Sequence, residues 1–356
     1  MFAREKHPRR RWLLSGAVAV MLAATVAGVV RHDDFDSDAK VSRQSSLSGH
    51  SAGASSPRGA VPASASGPCG AASAAAIASV DATVARRIYG GELRGNEVST
   101  DISRIAGDRE LVSALASSNG ARVASEVRKL VYTPHWHIVR LRVLKNGHAV
   151  ADVGGPYIIA PVSGVLRWNG SKVGSFVMSV QDDAGYVKLV TRFTGTPIDL
   201  YREGALVMGT LQSAPSSVST GQSVTVAGRT YRALVLNALA FPSGTLQARL
   251  FVPKPTSAQA RRSCAALKIA AWGNIVKHIA RRYSPLSAHY DDLAGTLKGA
   301  SAGLVYVRAG SKQLVGGASP ARIPHSGTLE YRGRSWLVFS WEPVPPARIY
   351  FLVAPS

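Results

Sequence analysis

Cysteine, acidic residues and recognisable catalytic motifs are what this sequence has little of. Two cysteines, Cys69 and Cys264, in 356 residues exclude a disulfide-dense scaffold. The lack of any C-x-x-C spacing removes the common redox and zinc arrangements. The pair fits one disulfide in an exported chain, or two buried thiols in a chain that is not exported. Acidic residues number 21 against 42 Lys and Arg, which leaves a net charge of +21. Carboxylates adjoin at Asp182-Asp183 and Asp291-Asp292, where a hairpin turn and a helix surface account for them. No phosphate-binding loop, H-E-x-x-H or triad order occurs, so the chain is read as non-enzymatic, with no catalytic residue and no cofactor. His135-Trp136-His137 has the look of a metal pair, but no carboxylate or cysteine lies at a fitting spacing and no metal site is assigned. Basic runs are also missing beyond the N-terminus. Scattered Lys and Arg without a nucleic-acid motif argue against nucleic acid as partner, and suit a surface that rests on anionic lipid or wall polymer.

What is present is a hydrophobic fraction of 46%, enough for a sizeable core and, at this length, for two domains. The first eleven residues, MFAREKHPRRR, are basic, and Trp12 to Val30 then runs nineteen residues without a charge. At 1.5 Å per residue such a helix spans roughly 28 Å, the thickness of a bilayer's hydrocarbon core. The basic flank places residues 1–11 in the cytoplasm and the rest outside, as an uncleaved signal anchor. A cleaved signal peptide is the alternative, although its apolar core is ordinarily shorter and no clear A-x-A site follows. Residues 31–68 are rich in Ser, Gly, Ala and charge and read as a disordered linker. Gly49-His50-Ser51-Ala52-Gly53 matches G-x-S-x-G by chance there, because no strand precedes it and no helix follows.

Helical spacing runs from Ala71 to Tyr89, with Gly90-Gly91 as the stop. A second helical stretch starts at Asp108 as N-cap, breaks at Asn119-Gly120 and resumes to Leu130. From His135 to Phe193 the pattern changes to apolar alternation, broken by Asn146-Gly147, Asn169-Gly170 and an Asp182–Gly185 turn. Alternation with Asn-Gly turns signals antiparallel hairpins, and five strands are expected. Arg140 and Arg142 share a face of their strand, because side chains alternate. That face either meets solvent or lines a cleft in which the two guanidiniums hold a carboxylate.

Helices first and then a five-stranded meander resembles the extracytoplasmic sensor modules of the Cache (PDC-like) family. The resemblance implies an α+β fold of tandem PAS/Cache-like modules, with antiparallel sheets flanked by helices. It also implies ligand contacts from the inner sheet face and the loop above it, here Arg140, Arg142, His148, Tyr157 and Lys188. The tyrosine/arginine/aspartate signature of amino-acid-binding members is not present, so the ligand class stays open.

The sheet pattern recurs in 302–353, behind helical segments at 257–283 and 286–297, and in weaker form in 198–252, where no helix is read before it. The chain thus divides into a cytoplasmic tail (1–11), a transmembrane anchor (12–30), a linker (31–68), a Cache-like module (69–195), a degenerate sheet repeat (196–253) and a second Cache/PAS-like module (254–356). Cys69 opens the first helix and Cys264 lies in the helix leading into the last copy, so a bond between them would staple the two ends together. The expected function is a single-pass, membrane-anchored extracytoplasmic sensor-like protein. It would bind a small, possibly carboxylate ligand over the first sheet, alter the packing of helix 71–89, and pass its output to a separate signalling partner, because only eleven residues precede the anchor. The alternative is a cell-envelope structural or interaction protein held on anionic lipid or polymer.

Overall fold

In the computed structural model, residues 67–355 are described, apart from 135, 212 and 213. The proposed anchor and linker, and the G-x-S-x-G match, lie outside these residues. No helix among the described residues is long and apolar enough to cross a membrane. The described chain is α+β, with three antiparallel sheets flanked by helices.

The first helix, α1 (Ser73–Arg94), is built mainly of alanine with Val80, Val84 and Ile88, and it is buried on most sides. Such a helix belongs in an interior. It runs through Gly90-Gly91, the expected stop, and ends at Gly95, whose backbone is extended. The packing available to Ile88 and Tyr89 before the glycines and Leu93 after them outweighs the roughly 1 kcal/mol that each helical glycine costs. Helix α2 (Asn96–Gly107) follows. Asp108 caps α3 (Arg109–Ala116) by accepting from the Leu111 N–H at 2.9 Å, and Asn119 caps α4 (Gly120–Tyr132) by accepting from Arg122 N–H at 3.1 Å. These caps meet the N–H groups that a helix leaves unpaired at its start.

Four strands come next: β1 (Arg140–Lys145), β2 (His148–Gly154), β3 (Val162–Trp168) and β4 (Ser171–Ser179), in the order β2-β1-β4-β3. Leu141, Val143, Leu166, Phe176 and Met178 pack against Leu111, Leu115, Val123 and Val127 of α3 and α4. This sheet, A, therefore has its own core. The expected fifth strand is instead a helix, α5 (Asp183–Thr194). Asp182 is its N-cap and accepts from the Gly185 N–H, and Gly195 ends it in the left-handed region at φ 73°. The buried Tyr186, Val187, Val190 and Phe193 recur at 3.6-residue spacing.

Sheet B contains β5 (Ile198–Arg202), β6 (Ala205–Gly209), β7 (Ser223–Val226), β8 (Arg229–Leu239) and β9 (Thr245–Pro253), in the order β6-β5-β9-β8-β7. After the short α6 (Ser257–Ala260) come α7 (Cys264–Ala280) and α8 (Tyr290–Ser301). They lead into sheet C, made of β10 (Leu304–Ala309), β11 (Lys312–Val315), β12 (Ser326–Tyr331), β13 (Arg334–Val344) and β14 (Ala347–Val353). Its order, β11-β10-β14-β13-β12, repeats that of sheet B. The middle sheet is thus as complete as the last, and it is sheet A that lacks a strand. α5 supplies the helix that was not expected before the middle sheet.

α1 and α5 lie on sheet B, α7 and α8 lie on sheet C, and the helices pack on one another. One core runs through all four layers, from Leu200, Ala248 and Leu250 through Val84, Val190 and Ile275 to Val307, Ile349 and Phe351. The helix expected to act on the first sheet is thus the centre of the other two, and a boundary at 195 would separate α1 and α5 from the sheet they cover. Cys69 and Cys264 form a disulfide, with Cα atoms 4.8 Å apart and a sequence separation of 195, joining the chain just before α1 to the start of α7.

Because the helices occupy the space between sheets B and C, the other face of each sheet points outward. A strap crosses each outer face: residues 210, 211 and 214–222 over sheet B and 316–325 over sheet C. Small cores fill the space beneath, with Val218, Tyr231 and Phe251 under the first strap and Tyr306, Ile323, Trp336 and Leu352 under the second.

Candidate functional site

The five residues expected to bind ligand do not converge. Arg140 and Arg142 do share the face of sheet A away from α3 and α4, but that face supplies its own carboxylate. Asp152 on β2 stands directly across from Arg142. Its Oδ1 accepts from Arg140 Nε at 3.1 Å, and its Oδ2 accepts from Arg140 Nη2 at 3.0 Å and Arg142 Nε at 2.9 Å. Partial burial works to raise the Asp152 pKa, but the hydrogen bonds and charges of the two arginines win and hold it below its ordinary value. The guanidiniums also face the Phe241 ring of the β8–β9 turn, with Arg140 Cζ at 4.5 Å from the ring centre and Arg142 Cζ at 5.9 Å.

The loop carrying Tyr157 is not a free lid. Ile158, Ile159 and Ala160 are buried in the main core. Ile158 donates its N–H to Asp183 Oδ1 at 3.0 Å, Phe241 N–H donates to Ile158 O at 2.7 Å, and the Ala160 N–H donates to Tyr89 Oη at 2.9 Å. Tyr89 Oη in turn donates to Leu239 O. Burial raises the Asp183 pKa, and the N–H groups of Ile158 and Ile159 pull it part of the way back. Arg140 Nη1 donates to Tyr157 O at 3.0 Å. The two arginines therefore form a joint between sheet A and sheet B.

His148 and Lys188 stand elsewhere. A bulge in β2 places His148 opposite Lys145, off the face of Arg142. Lys145 Nζ donates to Leu115 O at 2.7 Å at the end of α3, which identifies that side as the helix side. Lys188 is exposed on α5 rather than on a strand. His137 lies 4.0 Å from Glu97, and His135 lies outside the described residues. Among the described residues no group of three or more His, Cys, Asp or Glu is placed to hold a metal.

The outer face of sheet B holds a polar group that sequence reasoning missed. Asp199 and Tyr201 of β5 lie across from Arg249 and Gln247 of β9. Arg249 is 3% exposed and Asp199 fully buried. The Arg249 guanidinium stacks on the Tyr201 ring at 3.7 Å. Its Nη1 donates to Pro215 O at 3.2 Å and Ser216 O at 3.0 Å, and Nη2 donates to Gln247 Oε1 at 2.8 Å. Its Nε has no partner among the described residues. Asp199 Oδ1 accepts from Thr210 N–H at 2.8 Å and Leu211 N–H at 2.9 Å, anchoring the start of the strap, and Oδ2 has no partner among the described residues. Burial raises the Asp199 pKa against those two N–H groups and the charge of Arg249. A cleft of about 680 Å³ opens beside Arg249 and Gln247, under Ser216, Ser219 and Gln222 of the strap.

An arginine reaches the crossing loop in all three sheets. Arg140 on β1 holds Tyr157 O, Arg249 on β9 holds Pro215 O and Ser216 O, and Arg308 on β10 donates to Ser319 Oγ and, at 2.7 Å, to Pro320 O. Each carbonyl met this way is a loop acceptor that no strand satisfies. Compared with known proteins, the chain matches no family model and no curated protein.

Proposed function

We propose that this chain is a membrane-anchored, extracytoplasmic ligand-binding protein of the sensor type, built of tandem PAS/Cache-like modules. Residues 12–30 are its anchor, and its ligand is a small anionic metabolite. The observation that carries the reading is the shared plan of sheets B and C: one strand order, helices on the inner face, and an arginine-tied strap across the outer face. A strap pinned over a rigid sheet by side chains such as Arg249 and Arg308 suits capture of a small molecule, because the scaffold stays fixed while individual side-chain ties can exchange partners. The Cys69–Cys264 bond supports an oxidising compartment. In place of the Arg140–Arg142 face, whose guanidiniums are already engaged by Asp152 within the sheet, the outer face of sheet B becomes the preferred seat.

Thermal shift of the full chain against a chemically mixed library of small metabolites tests this. Saturable stabilisation that rises with the logarithm of ligand concentration is expected. A library without a hit, together with salt-sensitive binding to an anionic polymer, would overturn it in favour of an envelope structural protein, the reading that the net charge of +21 supports.

A further inference from the structure

We infer that the outer face of sheet B seats a small carboxylate on the Nε–Nη2 edge of Arg249, an assignment that rests on the ligand-binding reading above. Three observations converge on that edge. The first is charge. Arg249 is buried, yet no carboxylate among the described residues lies within ion-pair distance of it. Buried cations are ordinarily paired, because removal from water penalises the charge strongly. Asp199 faces it across the strands but turns one oxygen to the strap, where it accepts from two N–H groups.

The second observation is hydrogen bonding. The Nε and Nη2 groups of an arginine point in parallel and form the fork that a carboxylate grips with both oxygens. Here Nη2 holds the Gln247 amide oxygen and Nε meets no partner among the described residues. Nη1, on the other side, ties the strap and does not need to let go when the fork is used. A carboxylate that displaces Gln247 Oε1 gains two charge-assisted bonds and fills the vacant donor.

The third is space. The cleft beside Arg249 is about 680 Å³, within the range of small-molecule sites, and its walls offer hydroxyl and amide groups from Ser216, Ser219 and Gln222. Glu203 at its rim is solvent-exposed and paired with Arg202. Walls of this kind suit a hydroxylated or dicarboxylic acid of a few carbons rather than a fatty chain.

The test is isothermal titration of the full chain with acetate, lactate, succinate and citrate at constant ionic strength. At least one should bind saturably. Arg249→Lys, which keeps the charge and loses the fork, should weaken that acid by roughly tenfold or more. Gln247→Ala frees Nη2 and should tighten the same acid several-fold, a gain that a purely structural glutamine would not produce and that does not depend on Arg249→Lys folding. Arg140→Lys should leave binding unchanged. Equal binding by Arg249→Lys and the parent, or no gain in Gln247→Ala, overturns the assignment. If no acid binds while a neutral or cationic library compound does, the carboxylate seat is wrong and the ligand-binding reading stands. If nothing in either set binds, both fall.

Discussion

Asp81 gives the sharpest prediction about stability. It lies on α1 in the middle of the shared core, 3% exposed, and its Oδ2 accepts from Thr196 Oγ1 at 2.6 Å. Desolvation by burial pushes its pKa from the ordinary 3.8 up to about 7, against the smaller opposing effect of the Thr196 hydrogen bond. Between these values the folded chain keeps a proton that the unfolded chain has lost, so the unfolded state binds fewer protons and stability falls as pH rises. The contribution is neutral below about pH 4, declines from there to about pH 7, and stays at its full penalty above. At 1.36 kcal/mol per pKa unit, a rise of roughly three units amounts to about 4 kcal/mol. Asp81→Asn keeps an oxygen for Thr196 and cannot ionise, so it removes this slope. Its buried N–H2 adds a cost of about 1–3 kcal/mol that does not vary with pH. Urea unfolding at a series of pH values reads both parts. The gap between variant and parent should move in the variant's favour by about 3 kcal/mol from pH 4.5 to pH 8. Other buried carboxyls such as Glu92 and Asp183, also raised by burial, are common to both proteins and cancel in the difference. Curves that stay parallel over this range would refute the burial of a titrating Asp81.

Three further outcomes follow from the joint and the disulfide. Asp152→Asn leaves Arg140 and Arg142 side by side with one anion fewer and should lower stability by about 1–2 kcal/mol, with the loss shrinking in high salt; an unchanged urea midpoint at low salt would count against the joint. Phe241→Ala empties a fully buried site that also faces both guanidiniums and should lose about 3–5 kcal/mol, whereas Phe241→Leu should lose less; equal losses would mean that volume plays no part. A thiol assay under denaturing, non-reducing conditions should find no free thiol. Reduction should then lower stability by about 5 kcal/mol, from the entropy of closing a loop of 195 residues; two free thiols before reduction would remove the bond altogether.

Local chemistry made the cap at Asp108, the helix break at Asn119-Gly120 and the hairpins at Asn146-Gly147 and Asn169-Gly170 legible in the sequence, since each depends on a few adjacent residues. Asp182 to Phe193 misled for the same local reason. An aspartate followed three residues on by glycine, as Asp182 is by Gly185, suits a hairpin turn, but it equally caps a helix, and Tyr186, Val190 and Phe193 fit the helical period. Choosing between the two needed the partner that α5 covers, which is a strand later in the chain. The pairing of Asp199 with Arg249 had no local trace, because β5 and β9 are brought together only by the sheet. The clue available was a single charge set inside an apolar strand: Asp199 within Ile198–Tyr201, and Arg249 between Ala248 and Leu250. A charge at such a position either marks the far face of the strand or is held for a purpose, and composition does not distinguish the two.

The disulfide also has a mechanical consequence. A pull arriving from the N-terminal side reaches Cys69 before it reaches α1, and the covalent bond passes it directly to α7. The load is then shared by two packed helices instead of peeling one from its end. α1, which lies on sheet B and packs against α7 and α8, cannot unravel under tension from that side; it can only shift as a unit with α7. Any displacement at that end is therefore delivered to sheets B and C together.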